Sequence, residues 1–253
     1  MIHRGWHWIA AITVFVIVCV VAIAVGAVPV PMSDVVRAIG GIGDSSVVAI
    51  VRNLRLPRVA LAALIGAGLG MSGGALQGTL RNGLAEPYLL GVSGGAAVGA
   101  VIAFAIGVAE SGWIALAAFA GAALAVVLAL LVVRAAGRGG RGDPRTLLMA
   151  GVVIGAFANA VIMISLANAP PNTIRGALWW MMGSAGDATW SSVAILALSV
   201  IAGGAALIYL ARDIDVLALG EESAAALGVD VDRAARAIYL LSALLAAATV
   251  AAA

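Results

Sequence analysis

Apolar runs long enough to cross a lipid bilayer alternate along the chain with short polar segments rich in Gly, Pro and Arg. A membrane-spanning helix needs about 20 apolar residues. The pattern therefore predicts an all-α polytopic membrane protein with six full transmembrane helices and most of a seventh, in a single transmembrane domain over 1–253. The predicted spans are about 8–28, 57–76, 89–106, 113–133, 146–166, 192–210 and 237–253. Because the last apolar run still continues at Ala253, we expect a chain truncated at its C-terminus.

The composition supports this class and narrows the chemistry. Hydrophobic residues make up 64% of the chain and charged residues 10%, against about 25% charged residues in a soluble domain. The single cysteine, Cys19, lies inside the first apolar run, which excludes an internal disulfide and a cysteine-based metal site. The two histidines, His3 and His7, precede that run, where a solvated N-terminus is favoured over a metal pair. We therefore expect no metal site and no cofactor.

The arginines predict the orientation, because cytoplasmic loops carry an excess of basic residues. With the N-terminus in the cytoplasm, nine arginines fall on the inner side and five on the outer side. The inner set is Arg4, Arg81, Arg134, Arg138, Arg141, Arg145, Arg212, Arg233 and Arg236. The outer set is Arg37, Arg52, Arg55, Arg58 and Arg175. This distribution predicts a cytoplasmic N-terminus.

Three of the outer arginines form a cluster just before the second predicted span. Arg52, Arg55 and Arg58 recur at three-residue intervals, on the side where the basic bias would not place them. Their side chains either snorkel to lipid headgroups or meet an acidic partner outside. The residues themselves leave both interpretations open.

Small residues recur at four-residue spacing in two of the predicted spans. They are Gly66, Gly70 and Gly74 in the second span, and Gly91, Gly95 and Gly99 in the third, where Ser93 lies in the same run. Such spacing lets helix backbones approach closely in lipid, so we expect both faces to be packing faces. The main polar groups in or beside the spans are Ser72, Gln77 and Asn159. They either form interhelical hydrogen bonds or line a pathway.

The polar connection between the second and third predicted spans is expected to form a tight elbow at the cytoplasmic face. Arg81, Asn82 and Glu86 supply polar side chains, and Pro87 ends any helix that precedes it. A plain turn between two hydrophobic helices is the alternative.

The polar segment 211–236 contains a second cytoplasmic element, a short predicted helix with a glycine at each end. Acids occupy its first turn, where the helix dipole favours them; a helix that bound anionic lipid would carry Lys or Arg. Its alanines allow close docking, and Leu227 offers one apolar anchor. We therefore expect a protein partner. The residues expected at this surface are Gly220, Glu221, Glu222, Ala225, Leu227 and Gly228.

Sequence signals of several other functions are missing. The chain has no GxxxxGK[ST] motif for binding a nucleotide and no HExxH motif for zinc. No predicted span carries Asp, Glu or Arg at its centre, which disfavours a proton relay or an ion-coupled transporter. The chain also lacks a convergent set of His, Cys and carboxylate groups of the kind that an enzyme needs.

Six motifs, in the same order along the chain, resemble the permease subunits of ABC importers for iron-siderophores, haem and cobalamin, the FecCD family. They are RLPR at 55–58, SGGALQG at 72–78, RN at 81–82 with LAEP at 84–87, LLGVSGGA at 89–96, Trp180 with Gly183 and Ser184, and LALGEESAAALGV at 217–229. RLPR alone is a weak signal, but the ordered set is specific. Gly83 departs from the pattern, since the family usually has Pro there.

The resemblance implies a ten-span fold in which two permeases, as a homodimer or a mixed pair, form a central pathway in the bacterial inner membrane. Two cytoplasmic ATPase subunits would hydrolyse ATP, so the chain itself would not be an enzyme. An extracytoplasmic substrate-binding protein would deliver the metal chelate. The resemblance also assigns docking of that binding protein to Arg52, Arg55 and Arg58, and ATPase coupling to 220–228.

A membrane-embedded enzyme or assembly subunit without transport activity is the alternative function, and a plain channel is a third. Neighbouring genes for a P-loop ATPase and an exported binding protein would favour the importer over both.

Overall fold

The computed structural model describes residues 3–136 and 144–253, which form helices joined by loops. Arg138 and Arg141, which count toward the predicted orientation, lie outside these ranges. The α-helices are α1 His3–Ala24, α2 Met32–Ile39, α3 Ser45–Ala49, α4 Leu56–Leu80, α5 Val92–Ala105, α6 Ser111–Ala136, α7 Pro144–Ala167, α8 Pro171–Met182, α9 Trp190–Tyr209, α10 Ala211–Ala218, α11 Glu221–Ala226 and α12 Val231–Ala252. A π-helical turn, Ile50–Arg55, joins α3 to α4, and a 3₁₀ helix, Pro87–Leu90, precedes α5.

Six helical stretches in the described ranges are long and apolar enough to cross a membrane. They are Gly5–Ala24, Ser45–Leu80, Ser111–Ala135, Thr146–Ala167, Trp190–Tyr209 and Val231–Ala252. Each overlaps one of the seven predicted spans, so the predicted class of all-α polytopic membrane protein is confirmed.

The third predicted span is shorter than expected. The prediction of a full span over 89–106 is wrong in length, because α5 has 14 residues. That is about 21 Å at 1.5 Å per residue, less than the ~30 Å hydrocarbon core. Gly91 (φ 81°) and Gly107 (φ 84°) bound α5 in the left-handed conformation, which L side chains avoid and glycine accepts.

The second predicted span begins earlier than its apolar run. The helical stretch Ser45–Leu80 has 36 residues, so the helix begins twelve residues before the predicted start at residue 57. Asp44 caps its first turn, since one carboxylate oxygen accepts hydrogen bonds from the backbone N–H of Ser46 at 2.8 Å and of Val47 at 3.3 Å. These hydrogen bonds hold the pKa of the Asp44 carboxyl below its usual value.

The described helices pack into two compact units. The first comprises Met1–Ala63 and Ala185–Ala194. One cluster of its buried apolar side chains consists of Ile23, Val30, Val35, Ala38 and Val51. Most apolar side chains of α1 are exposed in this unit, as expected for a helix that contacts lipid.

The second unit comprises Leu64–Ser184 and Ile195–Ala253. Helix α5 lies at its centre, in contact with α6, α7 and α12. Its alanines Ala96 and Ala100 are fully buried. Within the same unit the Ser72 hydroxyl donates to the Ser242 carbonyl at 2.6 Å, which joins α4 to α12.

Candidate functional site

The short helix α11 is held by one buried residue and turns the rest of its surface outward. Its last turn is closed by two hydrogen bonds of 3.0 Å, from Gly228 N to the Ala225 carbonyl and from Val229 N to the Ala224 carbonyl. Ala224 is fully buried within the second unit, and Gly220 is buried just before the helix. The predicted surface residues that the structure exposes are Glu221, Glu222, Ala225, Leu227 and Gly228. This face therefore presents small side chains, two acids and one leucine.

The predicted elbow is folded back onto the last turn of α4. Asn82 N donates to the Gln77 carbonyl at 3.1 Å, and the Asn82 side-chain oxygen accepts from Leu84 N at 3.0 Å. The Gln77 side chain donates to the Ala85 carbonyl at 3.3 Å. These bonds give the turn a defined shape without the proline that the family usually has at Gly83.

The second half of the elbow opens the 3₁₀ helix. Pro87 is its first residue and is buried, while Glu86 and Tyr88 are exposed. Partial burial, and then the negative charge of Glu86, raise the pKa of the Tyr88 phenol. Pro87 therefore starts a helical turn, as well as excluding the continuation of α4.

Arg55 does not have the exposure that the predicted docking role requires. Its side chain is 8% exposed. Nη1 donates to the carbonyls of Ile23 and Ala24 at 2.8 Å each, and Nη2 donates to the Val28 carbonyl. Carbonyls at a helix C-terminus lack intrahelical donors, so Arg55 caps the end of α1. Its assignment to the docking surface is wrong for this structure.

Replacing Arg55 with Met should destabilise the first unit, because it leaves three carbonyls without their charged donor. Hydrogen bonds to a charged group contribute about 1.5–3 kcal/mol each. We expect a clear fall in the melting temperature of the purified protein in detergent. Arg52→Met removes an exposed cation from the same helical stretch and should leave the melting temperature nearly unchanged. Equal melting of the two variants would contradict the capping role.

Arg52 and Arg58 stay exposed within the first unit. Arg58 donates from Nε and Nη2 to the Gly186 carbonyl at 3.0 and 2.7 Å. The Arg52 carbonyl accepts from the indole N–H of Trp190 at 3.0 Å, so this bond holds its backbone and not its guanidinium. The two guanidinium groups are accessible to an acidic partner.

Helix α5 packs backbone to backbone against α6. A Cβ atom on Gly95 would overlap the Gly121 carbonyl, and one on Gly99 would overlap the Ala117 carbonyl. The spacing of these two glycines in the sequence therefore coincides with a close helix contact in the structure. Gly91 has a different task, because its left-handed backbone separates the 3₁₀ helix from α5.

The predicted packing glycines of α4 lie on an open face. They are Gly66, Gly70 and Gly74, and a Cβ on any of them would meet no described atom within 4 Å. The close approaches of α4 occur at two other glycines. A Cβ on Gly68 would lie 2.6 Å from Thr249 Cγ2, and a Cβ on Gly78 would lie 2.9 Å from Ile214 Cγ2. The predicted contact is therefore absent at Gly66, Gly70 and Gly74; α4 is approached closely at Gly78, four residues further along the same row, and at Gly68 on a different side of the helix.

The remaining predicted polar residues are on the surface of the second unit. They are Gln77, Ser93 and Asn159. In the described ranges, no three His, Cys, Asp or Glu side chains are placed to hold a metal ion. The arrangement offers surfaces for macromolecular contact and polar groups along apolar helices.

Besides Gly68 and Gly78, sequence reasoning missed Gly121 on α6 and Gly151 on α7, where the close contact is with backbone. A Cβ on Gly121 would overlap the Gly95 carbonyl, and one on Gly151 would overlap the Leu89 carbonyl. A signal existed for Gly151, because Gly155 follows it at four-residue spacing. Gly121 has no glycine four residues away, so the spacing rule could not find it.

The model of the FecCD transport family matches residues 14–253. The chain belongs to this family. The family match agrees with the ordered motifs of the sequence, and the chain is accordingly a multi-pass membrane protein.

Relatives with names include the cobalamin import system permease protein BtuC of Halobacterium salinarum, 40% identical over 79% of this chain and 53% of that protein. The hemin transport system permease protein HmuU of Yersinia pestis is 35% identical over 79% of this chain and 60% of that protein. This FecCD chain thus spans between half and two thirds of their lengths.

A solved structure described as a metal-chelate type ABC transporter in an inward-facing conformation has the same fold. It matches with a TM-score of 0.82 at 24% identity, over 96% of this chain and 74% of that chain.

Proposed function

We propose that this FecCD chain is the membrane permease subunit of a binding-protein-dependent ABC importer. It would form part of the translocation pathway for an iron-siderophore, haem or cobalamin-type metal chelate. Family membership supports this, and so do relatives named as cobalamin and hemin permeases. The same names favour transport over the alternative of a membrane-embedded enzyme or an assembly subunit.

The observation that carries the proposal is the outward face of α11. A helix of six residues is marginal alone and needs a surface to pack on. Its inner side has one, through Ala224, but Leu227 and the preceding Leu219 are 55% and 68% exposed. A groove on a cytoplasmic ATPase would cover these leucines. We therefore assign 220–228 as the coupling helix of a cytoplasmic loop over 211–236.

The proposed assembly contains a second permease, identical or different, two ATPase subunits and an extracytoplasmic binding protein. Both compact units would belong to one transmembrane domain over 1–253, in the bacterial inner membrane. The distribution of arginines supports a cytoplasmic N-terminus. The exposed polar side chains Gln77, Ser93 and Asn159 would line the pathway, since apolar helices otherwise offer few groups for a hydrated substrate.

Uptake of labelled substrate tests the proposed function. Vesicles that carry the permease and its ATPase, with binding protein and ATP supplied on their proper sides, should accumulate labelled cobalamin, haem or a ferric siderophore. Accumulation should require ATP and the binding protein. Failure to accumulate any of the three, with an assembled and ATP-hydrolysing complex, would contradict the proposal.

Docking of the binding protein should depend on Arg52 and Arg58. Arginine pairs with carboxylates through a planar fork, and exposed pairs contribute about 0.2–1 kcal/mol each. Arg52→Glu with Arg58→Glu should therefore weaken binding by about tenfold at low salt, and the difference should shrink as salt is added. Binding of the purified binding protein to permease in nanodiscs measures this.

Arg37→Glu is the matched control, because Arg37 is an exposed arginine on the same predicted side. It should leave the affinity close to that of the unaltered permease. If the double variant also binds with unchanged affinity at low salt, this cluster is not the docking surface.

A further inference from the structure

Four helices in the described ranges end in the same backbone motif. In each, two consecutive N–H groups beyond the helix donate back to its last turn, and the residue that carries the first of these N–H groups has a left-handed backbone. In α4 these bonds run from Asn82 N to the Gln77 carbonyl at 3.1 Å and from Arg81 N to the Gly78 carbonyl at 3.3 Å. The residues in the left-handed position are Gly41 (φ 77°), Arg81 (φ 52°), Gly107 (φ 84°) and Gly228 (φ 83°).

Arg81 is the exception in this set. Among the described residues it alone has a positive φ without being glycine. A residue with a Cβ loses roughly 1–2 kcal/mol in this conformation relative to its ordinary one, whereas glycine adopts it freely. A side chain that occupies a position favourable to glycine indicates that the side chain itself has a task.

The Arg81 guanidinium reaches the start of α11. A Cβ on Gly220 would lie 3.3 Å from Arg81 Nη1. Gly220 is buried and has φ 117°, directly before the first residue of α11. Gly228, at the other end of α11, also has a positive φ, but a Cβ there would meet nothing within 4 Å. Arg81 therefore packs on one specific end of the short helix.

A buried phenol on α12 marks the same junction. Tyr239 is 6% exposed, and it lies within electrostatic range of Arg81 and Glu221. The guanidinium thus lies where the end of α4, the start of α11 and α12 meet. The acid in the first turn of α11 offsets the unfavourable interaction of a cation with a helix N-terminus.

We propose that Arg81 is a positioning residue that links α11 to α4, so that a displacement of α11 is passed to the membrane-spanning helix. This link rests on the proposed role of 220–228 as the coupling helix. It consists of a side chain packed on the backbone of Gly220, so it can be removed without changing the helices that it joins.

Arg81→Gly separates the link from the fold. Glycine suits the left-handed position, so α4 should keep its end and the melting temperature should not fall. Without the guanidinium, amides of α11 should exchange with deuterium faster. ATP-driven uptake per ATP hydrolysed should fall by about tenfold, within the range of typical coupling energies, while assembly with the ATPase is retained. Arg81→Lys, which keeps the charge but not the planar fork, should give an intermediate uptake.

Two comparisons exclude general effects. Arg134→Ala removes an exposed arginine at the end of α6 and should change neither exchange nor uptake. Gly220→Ala and Gly228→Ala both place a Cβ on a left-handed glycine, but only the first meets Arg81. Gly220→Ala should therefore lose more uptake than Gly228→Ala. This extra loss should disappear when Arg81→Gly is also present, which a double-mutant cycle measures.

The outcomes separate this inference from the proposed function. Unchanged exchange and uptake in Arg81→Gly would overturn the link, and the coupling assignment would stand if bulky substitutions on α11 still prevented assembly. Loss of assembly in Arg81→Gly would also overturn it, because Arg81 would then belong to the docking surface. Bulky substitutions on α11 without effect on assembly would overturn the proposed coupling role of 220–228, on which this link rests.

Discussion

A Trp at position 225 is expected to prevent assembly of the permease with its ATPase subunit. Ala225 is exposed on α11, next to the buried Ala224 that holds the helix. A large ring on this face would keep the helix out of a fitted groove. Overpacking a close contact costs about 1–3 kcal/mol, which corresponds to a loss of affinity of about 5–150-fold. Co-purification and transport-stimulated ATP hydrolysis should both fall with Ala225→Trp.

A charge reversal on the same helix should give a smaller loss. Glu222→Arg places a cation in the first turn, where the helix dipole favours an acid, and reverses the charge offered to the partner. The matched controls are Ala135→Trp at the exposed end of α6 and Glu110→Arg on the predicted outer side. Both controls should assemble normally. Normal assembly and hydrolysis in Ala225→Trp and Glu222→Arg as well would show that 220–228 is not the coupling helix.

Gly95→Leu should nearly abolish folded protein, whereas Gly70→Leu should not. A Cβ on Gly95 would overlap the Gly121 carbonyl and lie 2.6 Å from the Ala125 Cβ, and backbone cannot move aside as a side chain can. The cost should exceed the ~1–3 kcal/mol of ordinary overpacking, a large share of a total stability of about 5–15 kcal/mol. The same substitution at Gly70 meets open space, because a Cβ there would have no described atom within 4 Å.

The yield of monodisperse protein in detergent, by fluorescence-detected gel filtration, measures this difference. Both variants replace a glycine of an apolar helix with leucine, so the effect of the leucine on membrane insertion should be the same in the two. Equal yields for Gly95→Leu and Gly70→Leu would mean that α5 and α6 do not pack as the structure shows.

The sequence predicts the helical class because lipid leaves few choices. Apolar runs of about 20 residues must satisfy their backbone hydrogen bonds internally, and helices do so. Glycine spacing is less informative, because it identifies a small-residue face without saying what covers it. On α5 that face meets α6 at Gly95 and Gly99, while on α4 the corresponding face, with Gly66 and Gly70, is open.

The length of α5 was not predictable from hydrophobicity alone. Gly91 and Gly107 belong to apolar runs in the sequence, and their role as left-handed end residues depends on backbone angles. A glycine can serve either packing or termination, and the pattern does not distinguish the two.

Arg55 illustrates the same limit for charge. An arginine near a membrane surface is an ordinary snorkelling or docking residue, which is what the sequence predicts. The end of α1 needs donors for its last carbonyls, and Pro29 and Pro31, which follow it, supply none. That need is visible in the sequence, but the residue that meets it lies 32 positions after Ile23, a separation that only the fold reveals.

Photocrosslinking from α11 is the most direct test of the proposed contact between 220–228 and the ATPase. Cys19 is the single cysteine, so Leu227→Cys in a Cys19→Ser background carries one thiol for a benzophenone label. In membranes that contain the full importer, the label should form an adduct with the subunit that contains the P-loop, with a yield that changes on ATP binding. The same label at exposed Leu178 on α8 should not reach that subunit. An active importer in which position 227 gives no adduct with the ATPase would contradict the proposed coupling contact.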